Sequence, residues 1–260
     1  MKALVINLDD AQARMDFMAG QLDRLSIGWE RLPAVTAETL LPPADDPYWT
    51  RWERPMRVTE MAALASHRAA WRQVLHSGAP HLVLEDDALL MPRVPRFLDA
   101  VASLEEAEHV TLEERGRKKL MARSPHPAAP MRRLWQDRTG AAAYVLRPSG
   151  AAKLLARTDL APGLADAVIC AAYELTSWQA DPALAIQLDQ CERHGMTSPI
   201  AVSSSIGQVD RPSMSDLPAA QRRRYRLRRL VSQIRMGLRQ ARHARGSQRR
   251  IVEIAAAEER

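Results

Sequence analysis

The sequence is poor in cysteine and has no long apolar run. Two cysteines among 260 residues exclude a disulfide scaffold and a zinc ribbon. Cys170 and Cys191 stand 21 positions apart with no Cys or His at zinc-finger spacing around either, so a reducing compartment is expected. No run approaches the ~18 apolar residues of a transmembrane helix. Near the start the longest apolar run, residues 3–8, is cut off by Asp9 and Asp10. A secretory signal needs a longer stretch and a small-residue cleavage site. A cytoplasmic protein is the expectation. There is no internal repeat.

What the chain does have is an ordinary globular composition, 46% hydrophobic and 26% charged. That excludes a disordered chain, a collagen and a coiled-coil rod. At roughly 150 residues per domain it is one large domain or two small ones. Its charge is uneven. Residues 221–260 hold 13 Arg, no Lys and 3 Glu, a net of +10, although the whole chain carries only +6. A mildly acidic body thus ends in a basic tail, which calls for an anionic partner, a membrane surface or nucleic acid.

Residues 3–8 read as a buried strand. Asp9 or Asp10 is expected to cap a helix with Met15, Met18, Leu22 and Leu25 inward, stopped by Gly28. Residues 29–35 read as a second strand and the Pro-rich residues 41–55, with Trp49 and Trp52, as a loop. Thr59 is expected to cap a helix to Ser77 that turns Met61, Leu64, Trp71 and Leu75 inward and ends at Gly78. Residues 81–84 form a short strand running into Glu85-Asp86-Asp87, and strand and helix alternate to Glu113. Residues 115–134, rich in Arg, Lys and Pro, read as an irregular loop. A strand over 140–146, a helix opening at Pro148, a helix over 164–178 and a last strand over 183–188 follow. Residues 203–212 read as polar loop. The alternation argues for an α/β fold with a largely parallel sheet.

Three consecutive carboxylates directly after an apolar strand call for chemistry. Ligands of open α/β sheets bind outside the carboxyl ends of the strands. Clustered acids there repel one another, and a divalent cation, Mg²⁺ or Mn²⁺ for oxygen-only ligands, removes the conflict. An acidic turn or helix cap is the competing reading of the same residues.

Ile6-Asn7-Leu8-Asp9 with Arg14, then Glu60, Ser66, His67 and Trp71, then Glu85-Asp86-Asp87 resembles, in order and spacing, glycosyltransferase family 25, the bacterial lipooligosaccharide biosynthesis galactosyltransferases. Gly140 to Tyr144, the Gly150-Ala-Ala-Lys-Leu-Leu155 segment and Asp166 continue the resemblance, which covers about residues 3–210. Met61-Ala62-Ala63 departs from the Ile-Gly-Cys usual there.

The resemblance implies a GT-A-like fold, a Rossmann-type mostly parallel sheet flanked by helices, over 1–215, with an Arg-rich amphipathic helical tail over 216–260. It implies inverting transfer of a hexose from a nucleotide diphosphate sugar, UDP-galactose being the usual donor, with Mn²⁺ or Mg²⁺. The acceptor implied is a lipid-linked oligosaccharide in lipopolysaccharide assembly. Asp166 is the first candidate for general base, with a helix N-cap as its competing role. Glu60 is the second, against a first-turn acid that complements the helix dipole. Asn7, Asp9, Arg14, Glu85, Asp86 and His67 are candidate donor-site residues, and Asp87 with Asp86 the candidate metal ligands. For His67 and Trp71, a structural role competes. If the strand persists, Glu85 and Asp87 point together. Trp49 and Trp52 are either an acceptor-stacking platform or loop anchors. The basic loop from Arg115 is either a cover for the diphosphate or a solvated loop.

In the tail, Leu227, Leu230, Val231, Ile234, Leu238 and Ala241 recur at helical spacing among arginines. A basic amphipathic helix reads as a membrane-surface element. An anionic membrane surface is therefore the expected partner of 221–260, with the protein peripheral on the inner face of the cytoplasmic membrane. No nucleic-acid motif accompanies the arginines. The other reading of the chain is a catalytically silent family member that binds a nucleotide or glycan.

Overall fold

The computed structural model describes residues 1–138, 140–201, 213–215 and 217–256. In chain order the elements are β1 (Lys2–Asn7), α1 (Gln12–Arg24), β2 (Trp29–Pro33), α2 (Val58–Ser77), β3 (His81–Glu85), β4 (Ala88–Leu90), α3 (Val94–Val101), β5 (His109–Thr111), β6 (Lys119–Pro125), β7 (Met131–Gln136), β8 (Ala143–Leu146), α4 (Pro148–Leu160), α5 (Ala165–Ala171), β9 (Ser177–Ala180), β10 (Ala185–Gln187), α6 (Ala219–Arg242) and β11 (Ser247–Arg250). Nine strands form one sheet in the order β11-β6-β7-β9-β5-β8-β3-β1-β2, and β10 pairs with β4 beside it. β1 is parallel to β2 and β3, and β5 to β9. β8 lies antiparallel between β3 and β5, and β7, β6 and β11 continue antiparallel from β9. Six of the nine strands therefore run one way, the mostly parallel α/β sheet expected.

Helices cover both faces, which is why the inner strands read as continuous apolar runs. Strand alternation divides each of them between two cores. Ala3, Val5, Leu82, Leu84 and Val145 meet the α1 and α3 side, where Met18, Leu22, Phe97 and Leu98 are buried. Leu4, Ile6, Val83, Tyr144 and Leu146 meet the other side, with Leu64, Trp71 and Val74 of α2 and Leu154 of α4. Each fully buried large side chain contributes about 1.5–3 kcal/mol. Gly150 lets the first turn of α4 lie against β5, since a Cβ there would come within 2.6 Å of the Glu108 carbonyl oxygen.

Several local expectations are corrected. Neither Asp9 nor Asp10 caps α1: its N-cap is Ala11, without a side-chain cap, and Asp9 pairs with Arg31 instead. The helix ends at Arg24, before Gly28, with Ser26 in the left-handed region at φ 54°. Arg57, not Thr59, is the N-cap of α2, and its backbone N–H donates to the Glu60 carboxylate. Leu75 is exposed and Val74 takes the inward place. Gly78 does end α2, at φ 67°.

Residues 115–134 are not an irregular loop but hold β6 and the start of β7. The alternation was hidden because arginines interrupt it, Arg132 and Arg133 standing at adjacent positions on opposite faces of β7. Lys119, Met121, Met131 and Leu134 are buried, while Arg132 pairs with Asp181 and Arg133 donates to the Leu175 carbonyl. The helix expected over 164–178 stops at Ala171, and Ser177–Ala180 is instead β9, held by β5 and β7 on its two sides. Pairing on both sides overrides the local pattern, which offers no Gly or Pro to stop the helix. β10 is not the last strand: β11, inside the basic tail, forms the sheet edge against β6. Residues 203–212 lie outside the described residues. Among the described residues no helix is long and apolar enough to cross a membrane.

Candidate active site

The parallel strands carry their C-terminal residues to one edge of the sheet, where open α/β folds receive ligands. Asn7 closes β1 and Glu85 closes β3, and the carboxylates following β3 and β5 gather there with Asp166 in the first turn of α5.

The three acids after β3 have three different environments. Asp86 turns toward β1. Its Oδ2 accepts from Asn7 Nδ2 at 2.7 Å and its Oδ1 lies 3.0 Å from Arg14 Nη1. Burial raises its proton affinity against the pull of that arginine and amide. Asn7 is itself fixed, donating to the Ala11 carbonyl and accepting from Arg31 Nε at 2.9 Å. Glu85 and Asp87 point the other way, together: the Gln187 amide nitrogen is 3.1 Å from Glu85 Oε2 and 3.5 Å from Asp87 Oδ1. Burial would raise Glu85, but the hydrogen bond from His67 holds it below the usual carboxylate range. Asp87 makes no ion pair with a described residue. Burial, then Glu85, Asp86 and Asp189, push it up to about 7.

A chain of buried groups sets Glu85. Trp71 Nε1 donates to the Tyr144 hydroxyl at 2.8 Å, Tyr144 meets His67 Nδ1 at 2.9 Å, and His67 Nε2 meets Glu85 Oε1 at 3.0 Å. An indole N–H can only donate, so the hydroxyl accepts from Trp71 and gives its own hydrogen to Nδ1. In the neutral imidazole the proton is then on Nε2, donated to Glu85. The three side chains meet between α2 and β8, and each is essentially inaccessible to solvent. Tyr144→Phe is expected to cost about 1–3 kcal/mol of stability, because it leaves a buried indole N–H and a ring nitrogen unpaired. Urea denaturation of the two proteins measures it.

Beyond Glu85 lie Asp166, Glu113 and Arg115. Asp166 is not an N-cap. Leu164 holds that position without a side-chain bond, and Asp166 Oδ1 accepts from the Ala167 N–H at 2.7 Å. Its proton affinity is raised by burial and by Glu85, and it has no ion-pair partner among the described residues. Glu113 is buried behind it, accepting from the Ala142 N–H at 3.1 Å. Arg115 projects from the turn after β5, 3.0 Å from Asp189 Oδ2 and 4.0 Å from Glu113 Oε1.

Burial, then Glu85, push Glu113 up to about 8. The folded protein therefore holds a proton on Glu113 that the unfolded chain loses near the ordinary glutamate range. That contribution is complete at acidic pH and disappears as pH rises through about 8. Glu113→Gln is expected to flatten the fall in stability between about pH 5 and 8. Unfolding midpoints across that range, compared for the two proteins, check it.

The structure brings Asn7, Arg14, His67, Glu85, Asp86, Asp87 and Asp166 to one edge. Asp9 is largely exposed and bound to Arg31 at the rim. Glu60 is engaged elsewhere. Arg54 donates to both its oxygens at 2.8 Å, which ties the Pro-rich segment to α2. It lies two turns before His67, about 10 Å along the same helix face. Trp49 is a loop anchor, buried with its Nε1 on the Pro42 and Pro43 carbonyls. Gln187, Glu113, Arg115 and Asp189 were not anticipated individually. The signal available for the first was its place at the end of an apolar strand, the position that had marked Glu85.

Among the described residues no group of three or more His, Cys, Asp or Glu is arranged to hold a metal ion. Asp86 is occupied by Arg14 and Asn7, which removes it as a ready ligand. Asp87 fits a cation: it is a partly buried acid among three others, with no ion-pair partner among the described residues. Mg²⁺ commonly takes only one or two carboxylates and completes its shell with phosphate oxygens and water.

The sequence matches glycosyltransferase family 25 (LPS biosynthesis protein) over residues 1–169. No match is found among curated proteins. Among solved structures, a mutant Drosophila β-1,4-galactosyltransferase 7 complexed with manganese, UDP-Gal and xylobiose is similar over 82% of this chain and 81% of that one, at 10% identity and a TM-score of 0.38. The mannose-1-phosphate geranyltransferase of Thermus thermophilus is similar over 71% and 58%, at 13% identity and a TM-score of 0.33. The matched segment runs from β1 into α5 and holds every acid from Glu60 to Asp166 described above: the chain belongs to glycosyltransferase family 25.

Proposed function

We propose that this protein is a GT-A-type, inverting hexosyltransferase that moves a sugar, galactose in the first instance, from a UDP-sugar to a hydroxyl of a lipid-linked oligosaccharide in lipopolysaccharide assembly. The observation that carries the reading is Asp166, a carboxylate of raised proton affinity with no cation partner among the described residues, set in the field of Glu85 at the sheet edge.

Inversion needs one displacement from the face opposite the leaving diphosphate, with the acceptor hydroxyl losing its proton as it attacks. Asp166 takes that proton. Its raised affinity brings it nearer the operating pH than an ordinary aspartate. Glu85, its orientation fixed by His67 and Gln187, is suited to accept from ribose hydroxyls. Arg115 reaches the acid cluster from the turn after β5 and meets the charge developing on the departing diphosphate. Asp87 would hold Mn²⁺ or Mg²⁺, which supplies Lewis-acid stabilisation of the diphosphate oxygens when bound.

Calorimetric titration with UDP, with and without Mn²⁺, tests the donor site. Metal-dependent binding that Asp87→Ala abolishes is the expected result. Failure to bind UDP under any condition would sink the UDP-sugar reading. Binding of UDP without turnover of any acceptor would favour the silent binding module.

A further inference from the structure

We propose that α6 is a fixed membrane-docking element that rests on an anionic lipid surface, apolar side out, and that the cleft at its C-terminal end seats a lipid phosphate. The proposal rests on the glycosyltransferase reading only in supplying a reason for the protein to be at a membrane.

An amphipathic helix on a globular body ordinarily turns its apolar stripe inward. α6 does the reverse. Leu227, Leu230, Val231, Ile234 and Leu238 are 46–66% exposed. At 100° per residue they form one stripe along the helix. The opposite side meets the body through polar groups. Arg228 Nη1 donates to the carbonyls of Thr50 and Trp52, at 2.5 and 3.2 Å. Arg239 Nε donates to the Trp135 carbonyl at 2.5 Å, and the His243 ring stacks on Trp135 at 3.9 Å. Tyr225 is the one buried residue of the helix. So α6 is strapped to the body at two places, and its orientation is set before any partner arrives.

The occupant of the stripe follows from its borders. Arg223, Arg224, Arg226, Arg235 and Arg242 are exposed, and α6 contains no acid. A second copy would bring an equal positive charge against them. A nucleic acid would match the arginines but leave five aliphatic side chains against phosphate. An anionic bilayer takes both, the aliphatic row at the acyl boundary and the arginines at the headgroups.

At the far end, a cleft of about 300 Å³ opens between α6, β6, β7 and β11, lined by Lys118, Arg138, Arg249, Gln136, Asp137 and Ser247. Three of these are cations, while Asp137 is already paired with Lys119. Ser247 Oγ and Gln136 Oε1 are buried there without a hydrogen-bond partner. Buried polar atoms are rarely left so. A phosphate carrying a glycerol headgroup satisfies the set: its oxygens take the cations and the serine hydroxyl, and a glycerol hydroxyl donates to the glutamine oxygen. The strap also reaches the site, since Trp52, held by Arg228, packs against Gly163, three residues before Asp166.

The test is co-sedimentation of the full chain with vesicles of phosphatidylglycerol and phosphatidylcholine, against phosphatidylcholine alone, at fixed salt. Binding to the mixed vesicles is expected to exceed that to neutral ones by more than about tenfold. Leu230→Ser with Ile234→Ser is expected to weaken it about tenfold or more. Lys118→Glu with Arg249→Glu is expected to weaken binding to phosphatidylglycerol more than to phosphatidylserine vesicles, while free inorganic phosphate leaves wild-type binding unchanged. Unchanged circular dichroism and UDP affinity keep these variants interpretable. Equal binding to neutral vesicles, undiminished binding by the serine variant, or a dimer that this variant dissolves would overturn the docking surface. Equal losses on both anionic lipids, or competition by free phosphate, would overturn the headgroup cleft. Retained transfer to a soluble acceptor by non-binding variants separates failure here from failure of the catalytic reading.

Discussion

Asp166→Asn is expected to lower kcat by about 10²–10⁴-fold, the usual worth of a positioned proton acceptor, with UDP affinity little changed. The substitution is close to isosteric and retains an oxygen for the Ala167 N–H, so the first turn of α5 keeps its bond. What is lost is the basic oxygen. The pH–rate profile separates this from a structural effect. In the wild type, activity should rise with pH through an apparent pKa above the ordinary aspartate range, because burial and Glu85 disfavour the charged form. In the variant that limb should vanish. A variant that keeps wild-type kcat and the same acidic limb removes Asp166 from the role. Glu60 is then a weak replacement, since both its oxygens are held by Arg54.

The acids after β3 were legible because they belong to a local pattern, whereas Asp166 entered through the family resemblance and Glu113 and Asp189 carried no signal of their own. Glu85-Asp86-Asp87 follows three apolar residues, Leu82 to Leu84, and a parallel strand that ends in acids puts them at the ligand-binding edge. His67 and Trp71 stand one helical turn apart, and so share the face that meets Tyr144. The partners that decide what each acid does come from far along the chain. Gln187 lies about a hundred residues from Glu85, and Arg115 reaches Asp189 across a comparable gap. No periodicity links such pairs, and charge alone does not say which acid an arginine will occupy. Arg14 was legible as a site residue but not as the group that takes Asp86 out of play. The fold behaved likewise. β1, α2 and β3 carry clean periods, whereas in β6 and β7 arginines interrupt the apolar alternation and the segment looks like loop. In α6 the stripe was plain, but a stripe does not state which side the body takes. That was decided by backbone carbonyls of Thr50, Trp52 and Trp135, which accept from its arginines.

The largest effect on stability is expected at Lys119, where a charge sits inside the sheet's second half. Its side chain is 2% exposed and its Nζ lies 2.6 Å from Asp137 Oδ2, itself 4% exposed. Nζ also donates to the Glu113 carbonyl at 2.9 Å and to Gln179 Oε1 at 2.5 Å. Three acceptors match the three N–H donors of the side chain, so none is left buried without a partner. Lys119→Met removes the cation and strands the Asp137 carboxylate, at an expected cost of about 3–5 kcal/mol. Lys119→Met with Asp137→Leu should recover most of that, because a well-packed apolar pair can replace a buried ion pair at little cost. The Glu113 carbonyl and the Gln179 amide remain unmatched and keep the recovery incomplete. Urea unfolding of the three proteins measures the cycle; a single variant that loses less than about 1 kcal/mol, a surface-pair value, would refute it. The pair matters beyond stability, since residues 113–119 form the turn that carries Arg115, and the Lys119 bond to the Glu113 carbonyl closes that turn. The double variant should therefore regain its fold while transferring sugar more slowly, since the turn that carries Arg115 has then lost the bond that closes it.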